Sequence, residues 1–364
     1  MDQYSFTSES VTEGHPDKVC DYIADSILDA YLEKDPASHV ACEVLCKDNH
    51  VILAGEIKAN AQIEIEAVVR RAIRDIGYTD AATAFNADSV IITNLLGRQA
   101  PEIDQGVFGA KEQGAGDQGL MFGFATDETP ELMPLPILLA HRLSAGLADD
   151  RKRKAVSWLR PDGKTQVTVR YQSGEPVEVT TVVVSTQHAF GVDHETVEAY
   201  VREELLPKRL GAWHNSGALV FVNPAGAFTT GGPSADCGVT GRKIIVDTYG
   251  GFARHGGGAF SGKDASKVDR SAAYFARYVA RKIVAARLAR KAEVQVSYAI
   301  GVAKPVSLFV NTFGTGENEE ARQLASLSDF KPASIIQNLG LLNPIYRQTT
   351  NYGHFGRPSL AWEK

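Results

Sequence analysis

The sequence predicts a mixed fold in which three units of strands and helices follow one another along 364 residues. Helical periodicity alternates with short runs of strand-forming residues throughout the chain. A chain of this length also exceeds what one ordinary hydrophobic core supports, so two or three domains are expected. A glycine-rich stretch at 97–119 separates the first group of elements from the second, and a third group opens near Gly231. No sequence repeat between the groups is detectable.

The first unit is predicted from the helical spacing of its apolar residues and from the proline and glycine that begin and end its helices. A helix is expected from Pro16 to about Glu33, because Val19, Ile23 and Ile27 recur at helical spacing and proline suits the first helical position. The other predicted elements are a strand at 51–57, a helix at 63–76 that ends at Gly77, and a strand at 90–96.

The second and third units are predicted in the same way. The second contains a helix at 135–147, a hairpin of strands 166–171 and 177–185 around Ser173-Gly174, a helix at 196–206 and a strand at 218–223. The third contains a strand at 243–248, a long helix at 267–291 and a strand at 293–302. The apolar periodicity of the long helix places Arg270, Arg277 and Arg281 away from its buried face.

Composition narrows the class of protein. The net charge of −6 argues against general nucleic-acid binding, and no run of about 18 apolar residues is long enough to cross a bilayer. The N-terminal residues lack the charged and apolar regions of a secretory signal. Cys20, Cys42, Cys46 and Cys237 have no zinc-type spacing, so we expect buried thiols. These features predict a cytoplasmic protein that binds neither membranes nor nucleic acid.

The strongest local signal is a basic, glycine-rich segment at 241–291. It holds twelve Lys or Arg residues against three acids in an otherwise acidic chain, and six glycines lie between Gly250 and Gly262. Bare backbone combined with concentrated positive charge is typical of a polyphosphate site.

Part of this segment, Gly257–Asp264 (GGAFSGKD), imitates a P-loop. It fits G-x-x-x-x-G-K, but Asp264 stands where Ser or Thr would bind magnesium, and the preceding residues match a buried strand poorly. A P-loop-like ATPase or kinase, and a nucleotide-binding regulatory module, therefore stay open as interpretations of this segment.

Several other residues have both a structural and a functional interpretation. Asp269 follows Ser266 in an S-x-x-D capping box, and Asp17 suits the dipole of a helix first turn. Glu43 and Glu56 lie in apolar strands, where charged residues are uncommon unless they are paired or bind a ligand. Phe228 is either a core residue or a stacking surface for a base.

Taken together, the motifs resemble the S-adenosylmethionine synthetase (methionine adenosyltransferase) family along almost the whole chain. They are FTSESVTEGHPDK at 6–18, GAGDQGLMFGFA at 114–125, WLRPDGK at 158–164, STQH at 185–188, DCGVTGRKIIVDTYGG at 236–251, ARHGGGAFSGKD at 253–264 and YGHFGR at 352–357. The resemblance implies an α+β fold of three similar mixed domains with pseudo-threefold symmetry. The implied bounds are 1–101, a mobile gating loop at 102–111, 112–230 and 231–364. It also implies a homotetramer, a dimer of dimers with active sites at the dimer interface.

The implied reaction is synthesis of S-adenosylmethionine by attack of the methionine sulfur on C5′ of ATP, followed by hydrolysis of the triphosphate to phosphate and diphosphate. By the same resemblance, the catalytic residues are His15, Lys164, Arg242, Lys243 and Lys263, which also contact ATP together with Asp162, Phe228, Asp236 and Ala259. The methionine-binding residues are Glu56, Gln99, Asp117, Asp236 and Lys267. Asp17 and Asp269 would bind Mg²⁺, two ions per site, and Glu43 would bind one K⁺ per subunit. One departure is Ala227, where the family pattern has arginine.

Overall fold

The computed structural model describes residues 3–98 and 113–364, and its fold is α+β. The first elements are β1 (Gln3–Val11), α1 (Pro16–Lys34), β2 (His39–Lys47), β3 (His50–Lys58), α2 (Ile65–Ile76) and β4 (Ile91–Arg98). They are followed by β5 (Gly119–Thr126), α3 (Leu135–Lys152), β6 (Leu159–Gln172), β7 (Glu175–His188), α4 (His194–Ala199), α5 (Leu206–Leu210) and β8 (Leu219–Val222). The last are β9 (Gly238–Val239), α6 (Ile244–Asp247), α7 (Val268–Ala285), β10 (Lys291–Tyr298), β11 (Ser307–Asn311), α8 (Asn318–Ser326) and α9 (Pro332–Leu339).

The described strands form three sheets that exchange strands in a cycle. Sheet β4-β3-β2-β9 belongs mainly to the first unit, β1-β6-β7-β8 to the second and β11-β10-β5 to the third. Strand β1 of the first unit lies antiparallel beside β6, β5 of the second lies beside β10, and β9 of the third lies beside β2. The same exchange recurs in all three units, as expected for a pseudo-threefold arrangement.

Two hydrophobic cores stabilise these layers. Helix α1 packs on β2, and α7 packs on β5 and β10; the apolar residues of these layers form one continuous core. Helix α3 packs on β1 and β6 around a second core. Phe252 contacts both cores, so the central unit is joined to the other two by apolar contact.

Several predicted elements are wrong in type or extent, and three of them have a clear cause in the structure. The run at 243–248 was expected as a strand but forms the short helix α6, because β-branched residues favour a strand only where a partner strand is present. The long helix ends at Ala285 rather than 291, since Arg287 adopts φ +60° and turns the chain into β10. The helix expected at 196–206 continues to Leu210 through a π-helical stretch, Tyr200–Leu205, just before Pro207.

The expected solvent exposure of the long helix's arginines is also wrong. Arg270 and Arg277 are completely buried, and each pairs with a buried carboxylate, Asp25 or Glu363. A buried guanidinium with a matched acid is compatible with an apolar helix face, so helical periodicity alone misassigned both side chains.

The cysteine prediction holds for three residues. Cys20, Cys42 and Cys46 are buried free thiols, whereas Cys237 is exposed. Among the described residues, no helix is both long and apolar enough to span a membrane.

Candidate active site

Polar residues of the candidate site first gather where helix α1 begins. His15 precedes the helix, and its Nδ1 accepts the backbone N–H of Asp17 at 3.2 Å. Burial, reinforced by the nearby Lys243 ammonium, lowers the pKa of His15 to about 3. The ring is therefore neutral near pH 7. Because Nδ1 accepts, Nε2 carries the proton and is left as a donor.

Asp17 links this helix end to the basic segment of the third unit. Its carboxylate accepts Lys243 Nζ and the Val239 N–H, the latter at 3.0 Å, and Arg242 lies 3.7 Å away. Burial opposes its ionisation, but the bonds from Lys243 and Val239 outweigh burial and hold the pKa of Asp17 below its ordinary value. The structure thus brings together four of the predicted residues: His15, Asp17, Arg242 and Lys243.

Strand β6 adds Asp162 and Lys164 to the same region. Lys164 pairs in register with Val11 at the end of β1, and its charge helps to keep His15 neutral. Asp162 is buried, and burial raises the pKa of its carboxyl to about 6. One carboxylate oxygen accepts the Gly232 N–H at 2.7 Å, while the other has no hydrogen-bond partner among the described residues. A buried oxygen without a partner fits a ligand hydroxyl.

Phe228 and Asp236 lie beside Asp162. The backbone of Phe228 is fixed by two hydrogen bonds to His188, at 2.9 and 3.0 Å, and its side chain is half-buried. Asp236 is exposed, and its N–H bonds Gly232, whose own N–H binds Asp162. We call this set the His15 group: His15, Asp17, Asp162, Lys164, Phe228, Asp236, Arg242 and Lys243.

A second set of predicted residues surrounds Lys263. Lys263 Nζ binds Asp269 at 2.8 Å, and its backbone forms a bridge with Ala41 at the edge of β2. Ala41 lies opposite Glu56 in the β2–β3 register. Glu43 lies two residues further along β2, near enough to Lys263 for their charges to interact. Alternation along a strand places these side chains on one face of the sheet.

Asp117 and Lys267 complete this second set. A Cβ on Gly116 would lie 2.6 Å from the Ser266 carbonyl, so the segment that carries Asp117 runs against the segment that carries Lys267. Lys267 is held by buried Asp264. We call this set the Lys263 group: Glu43, Glu56, Asp117, Lys263, Lys267 and Asp269. Ala259 lies between the groups, because a Cβ on Gly241 would come within 2.6 Å of its side chain. Gln99 and the predicted gating loop at 102–111 lie outside the described residues.

Within the described ranges, no hydrogen bond or ion pair joins a side chain of the His15 group to one of the Lys263 group. The first sheet explains this separation. Its buried residues, such as Val44 and Leu53, face the core that contains α1, whereas Glu43 and Glu56 are on the opposite, exposed face. One chain therefore presents two incomplete halves of the predicted site.

The donor set suits a metal that is bound mainly through phosphate. No cluster of three His, Cys, Asp or Glu side chains that could hold an ion occurs at 3–98 or 113–364. Mg²⁺ usually takes one or two carboxylates and completes its shell with water and substrate phosphates. Asp17 and Asp269, each beside a lysine that would also bind phosphate, fit that pattern.

The poor match of this region to a P-loop is confirmed, whereas the capping-box interpretation of Asp269 is wrong. No strand precedes the P-loop-like sequence, since 249–262 is irregular and Lys263 forms only an isolated bridge. Asp264, the residue in the magnesium position, is buried and accepts the backbone N–H of Val40. The capping box also does not form: Lys267 is the N-cap of α7 without a side-chain bond, and Asp269 pairs with Lys263 instead.

Sequence reasoning missed the buried carboxylates Asp21 and Asp25 of α1. Asp21 accepts the Gly241 N–H and Asp25 accepts the Gly262 N–H, each just before a predicted catalytic cation. The signal was available: aspartates at 17, 21, 25 and 29 recur every four residues on a helix whose other residues are mostly apolar.

Comparisons with known proteins match the whole chain. Family models described as S-adenosylmethionine synthetase, N-terminal domain, central domain and C-terminal domain match residues 3–101, 112–228 and 230–364. An S-adenosylmethionine synthase of Sorangium cellulosum is 56% identical over 372 residues, which is 100% of this chain and 88% of that protein. An S-adenosylmethionine synthase of Akkermansia muciniphila is 56% identical over 375 residues, which is 99% of this chain and 94% of that protein.

Proposed function

The chain belongs to the S-adenosylmethionine synthetase family, and we propose that the His15 and Lys263 groups carry out the adenosyl transfer of that family. The overall activity is that of a methionine adenosyltransferase, which makes S-adenosylmethionine from ATP and L-methionine. The observation that supports the assignment of roles is the gathering of Arg242, Lys243 and Lys164 around a neutral, donating His15.

The chemistry explains why cations rather than a general base surround the site. The methionine thioether is a neutral nucleophile that needs no deprotonation, so the barrier lies in the departure of the triphosphate from C5′. Lys164, Arg242 and Lys243 stabilise the negative charge that develops on the leaving oxygen more than they stabilise bound ATP. His15 Nε2–H would donate to that oxygen.

The remaining roles follow from position. The unpartnered oxygen of buried Asp162 would accept a hydroxyl of the nucleotide, and Phe228 would stack on adenine. Glu56 would pair with the methionine ammonium group, with Asp117, Asp236, Gln99 and Lys267 nearby. Asp17 and Asp269 would each hold Mg²⁺, whose charge offsets that of the triphosphate, and Glu43 would hold K⁺. Lys263, Ala259 and the other cations would stay on the triphosphate during its hydrolysis to phosphate and diphosphate.

We propose that a second copy of the chain completes each site. The His15 group and the Lys263 group lie on different sides of the first sheet, so neither alone surrounds both substrates. Exposed apolar side chains on outer strands, Leu95 on β4, Phe221 on β8 and Phe309 on β11, offer a surface for association. A dimer that pairs the two groups across subunits, and a homotetramer of two such dimers in the cytoplasm, fits this arrangement.

The test is incubation of the purified chain with ATP, Mg²⁺ and K⁺, with and without L-methionine. Methionine-dependent formation of S-adenosylmethionine with phosphate and diphosphate supports the proposal, and omission of either cation should lower the rate. Formation of ADP at the same rate without methionine would instead support a P-loop-like ATPase. Binding of ATP without turnover would support a regulatory module. Mixing inactive Lys243→Ala and Lys263→Ala chains tests the shared site, because only a site built from two chains regains activity in the hybrid.

A further inference from the structure

Helix α1 carries a line of four buried aspartates, which we call the aspartate line: Asp17, Asp21, Asp25 and Asp29. Their spacing of four residues places the carboxylates along one face of the helix, about 6 Å apart. Each accepts at least one backbone N–H from the third unit, between residues 239 and 347. The first sheet's main helix is therefore bound to the third unit through its carboxylates.

Asp21 binds the turn that presents two of the predicted catalytic cations. Its Oδ1 accepts the Gly241 N–H at 2.9 Å, and Arg242 and Lys243 follow directly. Gly241 has φ +76°, and a Cβ there would lie 2.6 Å from that of Ala259. This turn requires glycine, and glycine leaves the backbone free to adopt other conformations. The hydrogen bond to the Asp21 carboxylate holds the turn in one of them.

Asp25 binds the turn before Lys263 in the same manner. Its Oδ1 accepts the Gly262 N–H at 2.8 Å, and Gly262 has φ +80°. Asp25 also forms two bonds with Arg270, at 2.7 and 2.8 Å. The guanidinium of Arg270 in turn donates to the carbonyls of Phe260 and Lys263, at 3.0 and 3.2 Å. The turn is thus held at both its N–H and its carbonyl groups.

We propose that Asp21 and Asp25 are positioning residues for the adenosyl transfer, an inference that rests on the proposed function. Asp21 fixes the backbone that presents Arg242 and Lys243, and Asp25 with Arg270 fixes the backbone that presents Lys263. Both aspartates are completely buried; Asp21 also pairs with Lys18, and Asp25 also accepts the hydroxyl of Thr350. Since the two turns serve the two half-sites, one rigid helix sets the geometry of both.

Asp29 is a matched control on the same line. It is also buried, and it accepts the N–H groups of Tyr346 and Arg347 at 2.9 and 2.8 Å. Neither of these residues belongs to the His15 group or the Lys263 group. Loss of the Asp29 carboxylate should therefore weaken the fold without moving Arg242 or Lys243, the cations that the Asp21 turn presents.

The test compares Asp21→Ala, Asp21→Asn and Asp29→Ala. Lys18 keeps Asp247 as its counter-ion in all three variants. Asparagine retains an oxygen that accepts the Gly241 N–H, whereas alanine does not. We expect kcat/KM for ATP to fall about 10- to 100-fold in Asp21→Ala, the range that a small misplacement costs. Asp21→Asn should recover most of this loss, and Asp29→Ala should keep the wild-type rate per folded molecule. Hydrolysis of inorganic tripolyphosphate should follow the same order, since it depends on the same cations.

The outcomes of this test distinguish a failure of the positioning role from a failure of the proposed function on which it rests. A wild-type chain that makes no S-adenosylmethionine would refute the proposed function. An active wild-type chain with equal rates per folded molecule in Asp21→Ala and Asp29→Ala would refute the positioning role alone. For Asp25, the double variant Asp25→Leu with Arg270→Met removes both buried charges and the acceptor of the Gly262 N–H, and replacing a buried ion pair by apolar residues often leaves stability nearly unchanged. This variant should fold and turn over at least about tenfold more slowly; wild-type turnover would contradict the role of Asp25.

Discussion

Removal of the Glu363 carboxylate should strongly destabilise the third unit, because it leaves a buried guanidinium without its counter-ion. Arg277 is completely buried, and its Nε and one terminal nitrogen bind the two oxygens of Glu363 at 3.0 and 2.9 Å. The other bonds of Arg277 go to backbone carbonyls of Phe124, Glu131 and Leu132 at 2.7 to 2.8 Å. In Glu363→Ala the cation would face these neutral carbonyls and a second guanidinium, that of Arg281, which lies 3.1 Å from the same carboxylate. Breaking a buried pair in this way typically costs about 3–5 kcal/mol.

The assay is urea unfolding of wild type, Glu363→Ala and Glu363→Gln, followed by circular dichroism. Glutamine keeps one acceptor oxygen but loses the charge, so its cost should be that of a charge-assisted hydrogen bond, about 1.5–3 kcal/mol. The expected order of stability is wild type, then Glu363→Gln, then Glu363→Ala. If the dependence on urea is unchanged, the shift of the midpoint measures the loss of stability directly.

An exposed ion pair in the same chain provides the control. Glu178 binds Arg170 at 2.9 Å on the partly exposed β6–β7 hairpin. Its removal in Glu178→Ala should cost no more than about 1 kcal/mol, because water solvates the separated charges. The reasoning is refuted if Glu363→Ala shifts the unfolding midpoint no further than Glu178→Ala does.

Two further predictions concern acid stability and turnover. Burial, followed by the charge of Arg357, lowers the pKa of His141 to about 3 from 6.5. Between these values the unfolded chain binds a proton that the folded chain does not, so His141 makes stability fall as pH falls, by about 1.4 kcal/mol per pH unit. Urea unfolding from pH 7 to pH 4 should show a shallower loss in His141→Gln, and an equal slope would count against this. Lys263→Ala and His15→Ala should each lower turnover by about 10²- to 10³-fold without changing the circular dichroism spectrum; near-normal rates in both would show that their roles are misassigned.

Elements that are specified by residues within or next to the element itself were predictable from the sequence. Helix α1 begins at Pro16, as its periodicity and proline indicate. The β6–β7 hairpin turns at Ser173-Gly174, where both residues have the positive φ that a tight hairpin turn requires. Strands β1, β5, β9 and β11 were not predicted. The first three each pair with a strand of another unit, whereas β11 pairs with β10 of its own unit. Nothing near the first three in the sequence specifies their pairing.

The charge pattern of 241–291 located the candidate site but did not distinguish its members. Lys243 and Lys263 reach the half-sites, whereas Arg270 and Arg277 are neutralised inside the protein by acids that lie far away in sequence. The formal charge of the segment counts the lysines of the site and the buried, neutralised arginines equally. Only the pairing across more than 80 residues, or more than 240 for Asp25, shows that Arg270 and Arg277 are completely buried with their acids. Lys243 and Lys263 stay partly exposed beside theirs.

Strand exchange is what assembles the His15 group. Strand β1 pairs with β6 so that Val11 lies opposite Lys164, and the chain then reaches His15 within four residues. Without that pairing, the histidine of the first unit would have no fixed relation to the lysine of the second. Strand β9 beside β2 acts similarly for the third unit, since Asp236 precedes it and Arg242 follows it closely. A slip of two residues in either pairing would preserve the inward-facing side chains but shift these groups by about 7 Å, more than a hydrogen bond spans. The register of the exchanged strands is therefore a requirement of the site as much as of the fold.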